Sequence, residues 1–205
     1  LVVHAAAVDP EAPPARGQVV ADTQQATSIW LRERIGYLPE AASFSANLSG
    51  RQVLRFFASA RGTPRSAIAP TLDRVGLLEA ADRRVGGYSR GMRQRLGLAV
   101  AIVHTPQLLI LDEPTGGLDQ HGLSVLWSIL EEWKEAGRTV LLSTHELALI
   151  ERRADILYVV AEGNLRASGT PDQLREQAGL PLEWRKGPGL DVIYEHLIRS
   201  LSSDA

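Results

Sequence analysis

Several common features are missing from the 205 residues, and each absence narrows the possible functions. Cysteine is absent, which excludes disulfide bonds and thiolate metal sites and fits a reducing compartment. No apolar run approaches the ~18–20 residues that a membrane-spanning helix needs, so we expect any membrane association to go through a partner. A net charge of −2 gives no general attraction to nucleic acid or to anionic lipid.

Two further absences concern the start of the sequence. The first residue is Leu1 and the only methionine is Met92, which predicts that the sequence is a fragment. No G-x-x-x-x-G-K-[ST] pattern occurs, so no loop within these residues is expected to surround nucleotide phosphates. An apolar fraction of 44% with 22% charged residues is otherwise typical of a globular domain.

The most informative stretch covers residues 88–119. Ser89 and Gly91 belong to a small turn that opens a helix, and we expect its N–H groups and hydroxyl to point outward with nothing to bond, which makes the turn a site for an anion. Residues 108–111 read as a strand that is buried on both faces. Two adjacent carboxylates, Asp112 and Glu113, follow directly, at the end of a strand where α/β sheets place ligands. Such a pair is able to hold Mg²⁺ on a phosphate and to deprotonate a water.

A simpler interpretation of the motif LLILDE is an ordinary buried strand followed by an acidic turn. Matches to an apolar run before Asp are common, so the motif alone is weak. The phosphate-type turn about 20 residues upstream makes the combination much more specific.

This stretch resembles the nucleotide-binding domain of ABC transporters, from about Arg34 to the C-terminus. YSRGM (88–92) stands at the signature, LLILDE at the Walker B strand, and Gly117-Leu118-Asp119 at the D-loop. The resemblance implies an α/β fold with a P-loop NTPase-type, mostly parallel sheet core and an inserted helical subdomain, truncated at its N-terminus before the phosphate loop. We therefore expect Leu1 to follow that loop, with residues 1–7 as the tail of its helix, and the chain alone to bind ATP weakly.

The resemblance also implies ATP and Mg²⁺ as ligands and assigns a role to individual residues. Asp112 would hold Mg²⁺, Glu113 would be the general base, and His145 would bind the γ-phosphate. Ser89 and Gly91 would contact a nucleotide seated on a second copy, while Asp119 would line the seam of that homodimer. Glu40 stands where a glutamine that senses the nucleotide is usual, and Arg90 stands in place of a common glycine. Arg90 either adds charge near the nucleotide or faces solvent.

Interpretations without a functional role exist for two of these residues. Glu40 follows Leu38-Pro39 and is also interpretable as a solvated loop acid. A lone histidine is most often structural, but His145 leaves the strand that comes one helix after LLILDE, which favours the functional role.

Four segments are predicted. Residues 1–40 are the remnant of the N-terminal part of the ATPase core, 41–87 a helical subdomain, 88–180 the main ATPase core, and 181–205 a C-terminal extension with an amphipathic helix that carries Leu190, Ile193, Leu197 and Leu201. In the helical subdomain, Ser49 and Gln52 form a capping box and Pro70 predicts a break or kink. In the main core, residues 156–160 and 165–167 are predicted to form a hairpin, and Thr170 with Gln173 a second capping box. Its arginines are scattered without a dense tract, which favours a solvated face or a dock for a membrane partner over nucleic acid.

The predicted function is an ATP-binding and hydrolysing subunit that powers an ABC transporter. Residues 38–62 and 88–99 resemble the branch that pairs with ABC-2-type permeases, which includes the ATPases of copper-processing transporters for nitrous oxide reductase maturation. A cytoplasmic position at the inner face of the cell membrane follows, with the permease as partner and no nucleic acid. Two alternatives remain: a catalytically inactive regulatory or structural subunit, and a non-transport ABC ATPase.

Overall fold

Two units make up the chain in this computed structural model. One comprises Ala21–Val140, and the other comprises Leu1–Val20 together with Leu141–Ala205. The structure describes residues 33–150, 153–161 and 163–178, and the backbone of residues 2–7. The C-terminal helix predicted within 181–205 lies outside the described residues, and the four predicted segments stay a prediction.

In the unit Ala21–Val140, two parallel strands carry the carboxylates that the sequence points to. Strands β2 (Ile35–Leu38) and β3 (Leu108–Asp112) are paired so that Leu38 lies opposite Leu111. Leu109 and Leu111 are fully buried, whereas the alternate side chains of β3 are half-buried, so the predicted burial on both faces is right for one face only. Because the strands are parallel, both carboxyl ends lie at one edge of the pair.

The helices of this unit begin at capping residues. Helix α1 (Gly50–Ala60) follows the predicted capping box of Ser49 and Gln52, which is confirmed. Helix α2 (Ile68–Arg74) follows a 3₁₀ turn, and the break predicted at Pro70 is wrong. Pro70 lies in the first turn of α2, where the missing N–H would have no partner within the helix.

Helices α3 (Arg90–Ile102) and α4 (Gln120–Glu135) flank β3 in the sequence. A Cβ placed on Gly36 of β2 would lie 2.2 Å from the carbonyl oxygen of Ala101, so α3 approaches that strand closely. Trp133 of α4 is buried and donates its indole N–H to the Pro106 carbonyl at 3.1 Å. These contacts hold β2 against α3 and the segment before β3 against α4.

The second unit is built on parallel strands with a hairpin. Strand β4 (Thr139–Ser143) crosses from the first unit, and its residues 141–143 pair with β1 (Val2–Ala7), which pairs in turn with β5 (Ile156–Ala161). Strand β6 (Asn164–Gly169) is antiparallel to β5 and completes the predicted hairpin. The short helices α5 (Leu147–Ile150) and α6 (Pro171–Gln177) follow β4 and β6.

The predicted helix tail at residues 1–7 is wrong, because β1 lies there. Val2 and Val3 are β-branched and suit a strand, and pairing on both sides satisfies the backbone groups that a helix tail would have bonded locally.

Within the described part of the chain, no helix has the length and apolar character required to cross a bilayer.

Candidate functional site

The start of α3 presents polar backbone groups at the surface. Ser89 is exposed and its Oγ accepts the N–H of Met92 at 3.1 Å, so the expectation that this hydroxyl has nothing to bond is wrong. The cap uses a lone pair of Oγ and leaves its O–H hydrogen available to donate. The N–H groups of Arg90 and Gly91 are among the donors that a helix start leaves without an intrahelical partner. This turn is suited to contact an anion.

Tyr88 anchors the turn from its buried side. Its ring is buried and its hydroxyl donates to the Ala80 carbonyl at 2.7 Å, close against Gly50. The guanidinium of Arg93 donates to the Tyr88 carbonyl at 2.5 Å. Burial raises the pKa of Tyr88 above its usual value, so the phenol stays protonated as a donor. Side chain and backbone of the residue before Ser89 are therefore both held.

Asp112 and Glu113 leave β3 together, and both side chains are half-buried. Glu113 has a φ of +43°, in the left-handed region that costs a non-glycine residue about 1–2 kcal/mol. Its carbonyl accepts the N–H of Gly116 at 3.1 Å, which closes a tight turn. Strain of this kind persists only where surrounding contacts impose it, and it is concentrated at functional sites.

One such contact comes from α3. Gln94 is buried, and its side-chain amide donates to the Glu113 carbonyl at 3.4 Å. The sequence analysis did not single out Gln94. The signal was a polar residue next to the otherwise apolar run of residues 96–103, since a buried polar group is expected to have a specific partner.

Asp119 has a structural role that the sequence analysis missed. Its carboxylate accepts the N–H of Gly122 at 2.7 Å and caps α4. An Asp directly before an apolar helical pattern is the usual signal for such a cap. Asp119 is exposed, so the second carboxylate oxygen is left to face a partner, and the predicted place in a dimer seam stays a prediction.

The turn at Ser89 and the turn after Glu113 are in contact. A Cβ on Gly91 would lie 2.9 Å from the carbonyl oxygen of Gly117, and one on Gly117 would lie 2.6 Å from Cδ of Arg90. The unit Ala21–Val140 thus brings Ser89 and Gly91 together with the segment from Glu113 to Asp119. This contact was not predictable from the sequence, because glycine patterns do not identify the residues that pack against them.

Glu40 and His145 are placed separately. Glu40 is exposed two residues beyond the end of β2, at the same edge of the strand pair as Asp112. His145 belongs to the other unit, where it is exposed two residues beyond β4, after a turn in which Thr144 Oγ1 accepts the N–H of Glu146 at 3.0 Å. Joint action of His145 with Glu113 stays a prediction.

The donor set fits a metal held mainly by its substrate. Among the described residues, no group of three or more His, Asp or Glu side chains is placed to hold a metal ion. Mg²⁺ commonly takes one or two carboxylates, with phosphate oxygens and waters completing its shell. Asp112 at the end of β3 is sufficient for that arrangement.

A histidine away from these turns has a strongly changed acidity. His104 is half-buried, and Arg61 approaches its Nε2 at 2.6 Å while also donating to the Ile35 carbonyl at 2.9 Å. Burial and, after it, the charge of Arg61 lower the pKa of His104 to about 4. This cluster holds the start of β2 to the C-terminal end of α3 and was not visible in the sequence.

A groove lies on the outer side of α1. Its volume is about 480 Å³, and its walls include the apolar side chains of Leu48, Phe56 and Ile68 with Arg55 and Arg65. Phe56 is 66% exposed, although it is the kind of side chain that folding normally buries. The residues that line the groove include no acidic side chain.

Comparison with known proteins gives consistent results. The sequence model of the family described as "ABC transporter" matches residues 6–116. The lantibiotic transport ATP-binding protein SrtF of Streptococcus pyogenes is 39% identical over 132 residues, which cover 64% of this chain and 58% of that protein. The bacitracin transport ATP-binding protein BcrA of Enterococcus faecalis is 42% identical over 137 residues, covering 66% and 44%. The chain thus spans about half the length of the curated relatives it matches.

A solved structure described as the ATP binding subunit of an ABC transporter superposes with a TM-score of 0.74 at 32% identity, covering 83% of this chain and 70% of that one. This similarity confirms the predicted α/β fold.

Proposed function

Because this chain belongs to the ABC transporter family, we propose that it is part of an ATP-hydrolysing subunit that powers transport across a membrane. The observation that carries the proposal is the contact between the turn at Ser89 and the turn that follows Glu113. One turn offers donors for phosphate and the other offers carboxylates for a metal and a water, and phosphoryl transfer requires both. The relatives named for lantibiotic and bacitracin transport support a role in transport.

In this proposal the two carboxylates after β3 have different tasks. Asp112 holds Mg²⁺, which offsets phosphate charge when bound. Glu113 accepts a proton from the attacking water, and its strained backbone together with the Gln94 contact keeps the carboxylate in a fixed direction. His145 donates to the γ-phosphate, and Glu40 faces the nucleotide from the end of β2.

Ser89 and Gly91 serve a nucleotide seated on a second copy of the subunit. Both belong to the start of α3, where Ser89 is exposed and backbone N–H groups lack partners within the helix. Two copies would enclose two ATP molecules, with Asp119 at the seam. The homodimer is therefore part of the proposal.

The membrane partner is proposed to be an ABC-2-type permease. The groove on α1 combines an exposed aromatic ring with Arg55 and Arg65 and no acid, so it suits a segment that is apolar and acidic. A cytoplasmic loop of the permease has this chemistry in our proposal, which places the subunit at the inner face of the cell membrane.

The test measures ATP hydrolysis in an engineered fusion, called the loop-bearing chain below. In this fusion a phosphate loop of the pattern G-x-x-x-x-G-K-[ST] is joined ahead of Leu1. Glu113→Gln should slow turnover by roughly 10²-fold or more while ATP still binds, because it removes the base and keeps the shape of the side chain. Glu79→Gln, at an exposed acid of the same unit, is the matched control and should turn over like the unchanged chain.

Turnover of Glu113→Gln within a few-fold of the unchanged chain would show that Glu113 is not the base. Absence of turnover in the unchanged loop-bearing chain, with ATP bound, would favour the inactive regulatory subunit instead.

A further inference from the structure

Arg90 lies across the glycine pair that follows Glu113. A Cβ placed on Gly117 would be 2.6 Å from Cδ of Arg90, 2.7 Å from Nε and 2.8 Å from Cγ, and one on Gly116 would be 3.5 Å from Nη2. The atoms nearest to Gly117 are those of the aliphatic stem and Nε, so the stem of Arg90 rests on the backbone at Gly117. Arg90 is exposed, which agrees with the alternative that it faces solvent, but that alternative did not include this packing of its stem.

Within the part of the chain that the structure describes, the guanidinium of Arg90 makes no hydrogen bond or ion pair. Packing of the stem, and not a polar partner, therefore sets its direction. Arginine and lysine stems commonly cover backbone and apolar surface in this way while the charged end stays in water. Gly117 has a φ of +75°, which only glycine adopts without strain, and the absence of its side chain makes room for the stem.

Three contacts from the first turns of α3 converge on the segment from 113 to 117. Arg90 covers Gly117, Gly91 touches the Gly117 carbonyl oxygen, and Gln94 reaches the Glu113 carbonyl. Residues 90 and 94 are one turn apart and share a face of the helix. The helix start that faces phosphate is thus tied to the backbone that carries the proposed base.

We propose that Arg90 is a positioning residue, whose stem holds the turn at Gly116 and Gly117 and through it the direction of Glu113. The proposal rests on the function assigned above for its catalytic consequence, but not for the packing itself. It implies a coupling within one chain. When Ser89 contacts a nucleotide seated on the second copy, the direction of Glu113 in the chain that carries this Ser89 should change, because both turns move with α3.

Three substitutions separate the stem from the charge. Arg90→Ala removes both, Arg90→Met keeps the stem without the charge, and Arg90→Lys keeps both. If the stem holds the turn, Met and Lys preserve its effect and Ala does not. If the guanidinium acts by its charge on an anion, only Lys preserves it.

The first measurement is amide hydrogen exchange on the 205-residue chain. The N–H of Gly116 bonds the Glu113 carbonyl and that of Leu118 bonds the Thr115 carbonyl, so both report opening of the turn. Arg90→Ala should speed their exchange about tenfold, while Arg90→Met leaves it near the unchanged rate. Equal exchange in Arg90→Ala and the unchanged chain would overturn the proposal.

The second measurement is ATP turnover of the loop-bearing chain. Arg90→Ala should lower kcat about tenfold with KM for ATP little changed, because a misdirected base affects the chemical step and not binding. Arg90→Met should restore most of kcat. If kcat of Arg90→Met is as low as that of Arg90→Ala while Arg90→Lys has normal kcat, the effect comes from the charge and the packing role is refuted. If the unchanged loop-bearing chain does not turn over ATP, the proposed function fails, while hydrogen exchange still decides whether Arg90 holds the turn.

A matched glycine control isolates the contact. Gly62 has a φ of +66° and open space around it, so Gly62→Ala introduces backbone strain alone. Gly117→Ala adds a clash with Arg90 to the same strain and should lower the urea midpoint further than Gly62→Ala. In an Arg90→Ala background the two glycine substitutions should become similar, and a persistent difference would contradict the pairing of Arg90 with Gly117.

Discussion

Acidification should destabilise the chain through His104 in particular. Arg61 is always protonated, and its guanidinium lies 2.6 Å from Nε2 of His104, while the Ile35 carbonyl oxygen lies 3.2 Å from the same nitrogen. Protonation would place a second cation 2.6 Å from the guanidinium. This is why burial and the charge of Arg61 together lower the pKa of His104 to about 4.

The sign of the pH effect follows from that direction. The folded pKa of about 4 lies below the ordinary value of 6.5, so the unfolded chain takes up the proton first as the pH falls. The stability that His104 contributes is therefore complete above about pH 6.5 and is lost progressively toward pH 4. The pKa difference sets a ceiling of about 3 kcal/mol. Solvent screening at this half-buried site reduces the expected loss to the order of 1 kcal/mol.

Urea unfolding at about pH 7.5 and about pH 4.5 tests this reasoning on the unchanged chain and on His104→Gln. Glutamine keeps an acceptor for Arg61 and has no titrating group, so the variant should lose less stability over the same interval. NMR titration of the ring should show His104 still neutral near pH 5. A ring that titrates near its ordinary value, or equal losses in both chains, would refute the proposed arrangement of Arg61 and His104.

Three further predictions concern single sites. In the loop-bearing chain, His145→Ala should lower ATP turnover about tenfold while ADP affinity measured by calorimetry changes little, because ADP lacks the γ-phosphate; equal losses would make His145 structural. Trp133→Phe should lower the free energy of unfolding by about 2 kcal/mol in urea, since the buried carbonyl of Pro106 loses its donor, and an unchanged midpoint would show that this bond adds nothing. Gly36→Ala should cost about 2–3 kcal/mol in the same assay, because the new Cβ meets the Ala101 carbonyl, and a neutral effect would mean that α3 moves away from β2 freely.

Local sequence rules predicted the parts of the fold that neighbouring residues decide. The capping boxes at Ser49 and Thr170, the strand at LLILDE and the hairpin near Gly163 all depend on residues a few positions apart. Pro70 failed as a helix breaker because its effect depends on its position in the helix, which the pattern alone does not give. Residues 1–7 failed for a related reason, since pairing with distant strands decides their structure.

The candidate site likewise has residues that local patterns predict and supporting contacts that they do not. The identities of Ser89, Asp112 and Glu113 followed from motifs, because phosphate and metal chemistry require those residue types. The supports around them did not follow: Gln94 at the Glu113 carbonyl and Arg90 on Gly117 join residues about 20 to 30 positions apart. Such contacts come from the packing of the start of α3 against the segment that follows β3, which no local pattern encodes.

The left-handed backbone at Glu113 has a consequence for directed evolution. Glycine, and to a lesser degree asparagine, adopts a φ of +43° at smaller cost than glutamate, so replacement of Glu113 should relieve strain and raise thermal stability. A library screened for heat resistance alone would then be enriched in changes at the residue proposed as the base. Selection for stability and selection for turnover pull this position in opposite directions, and a screening scheme for the protein has to retain activity at every round.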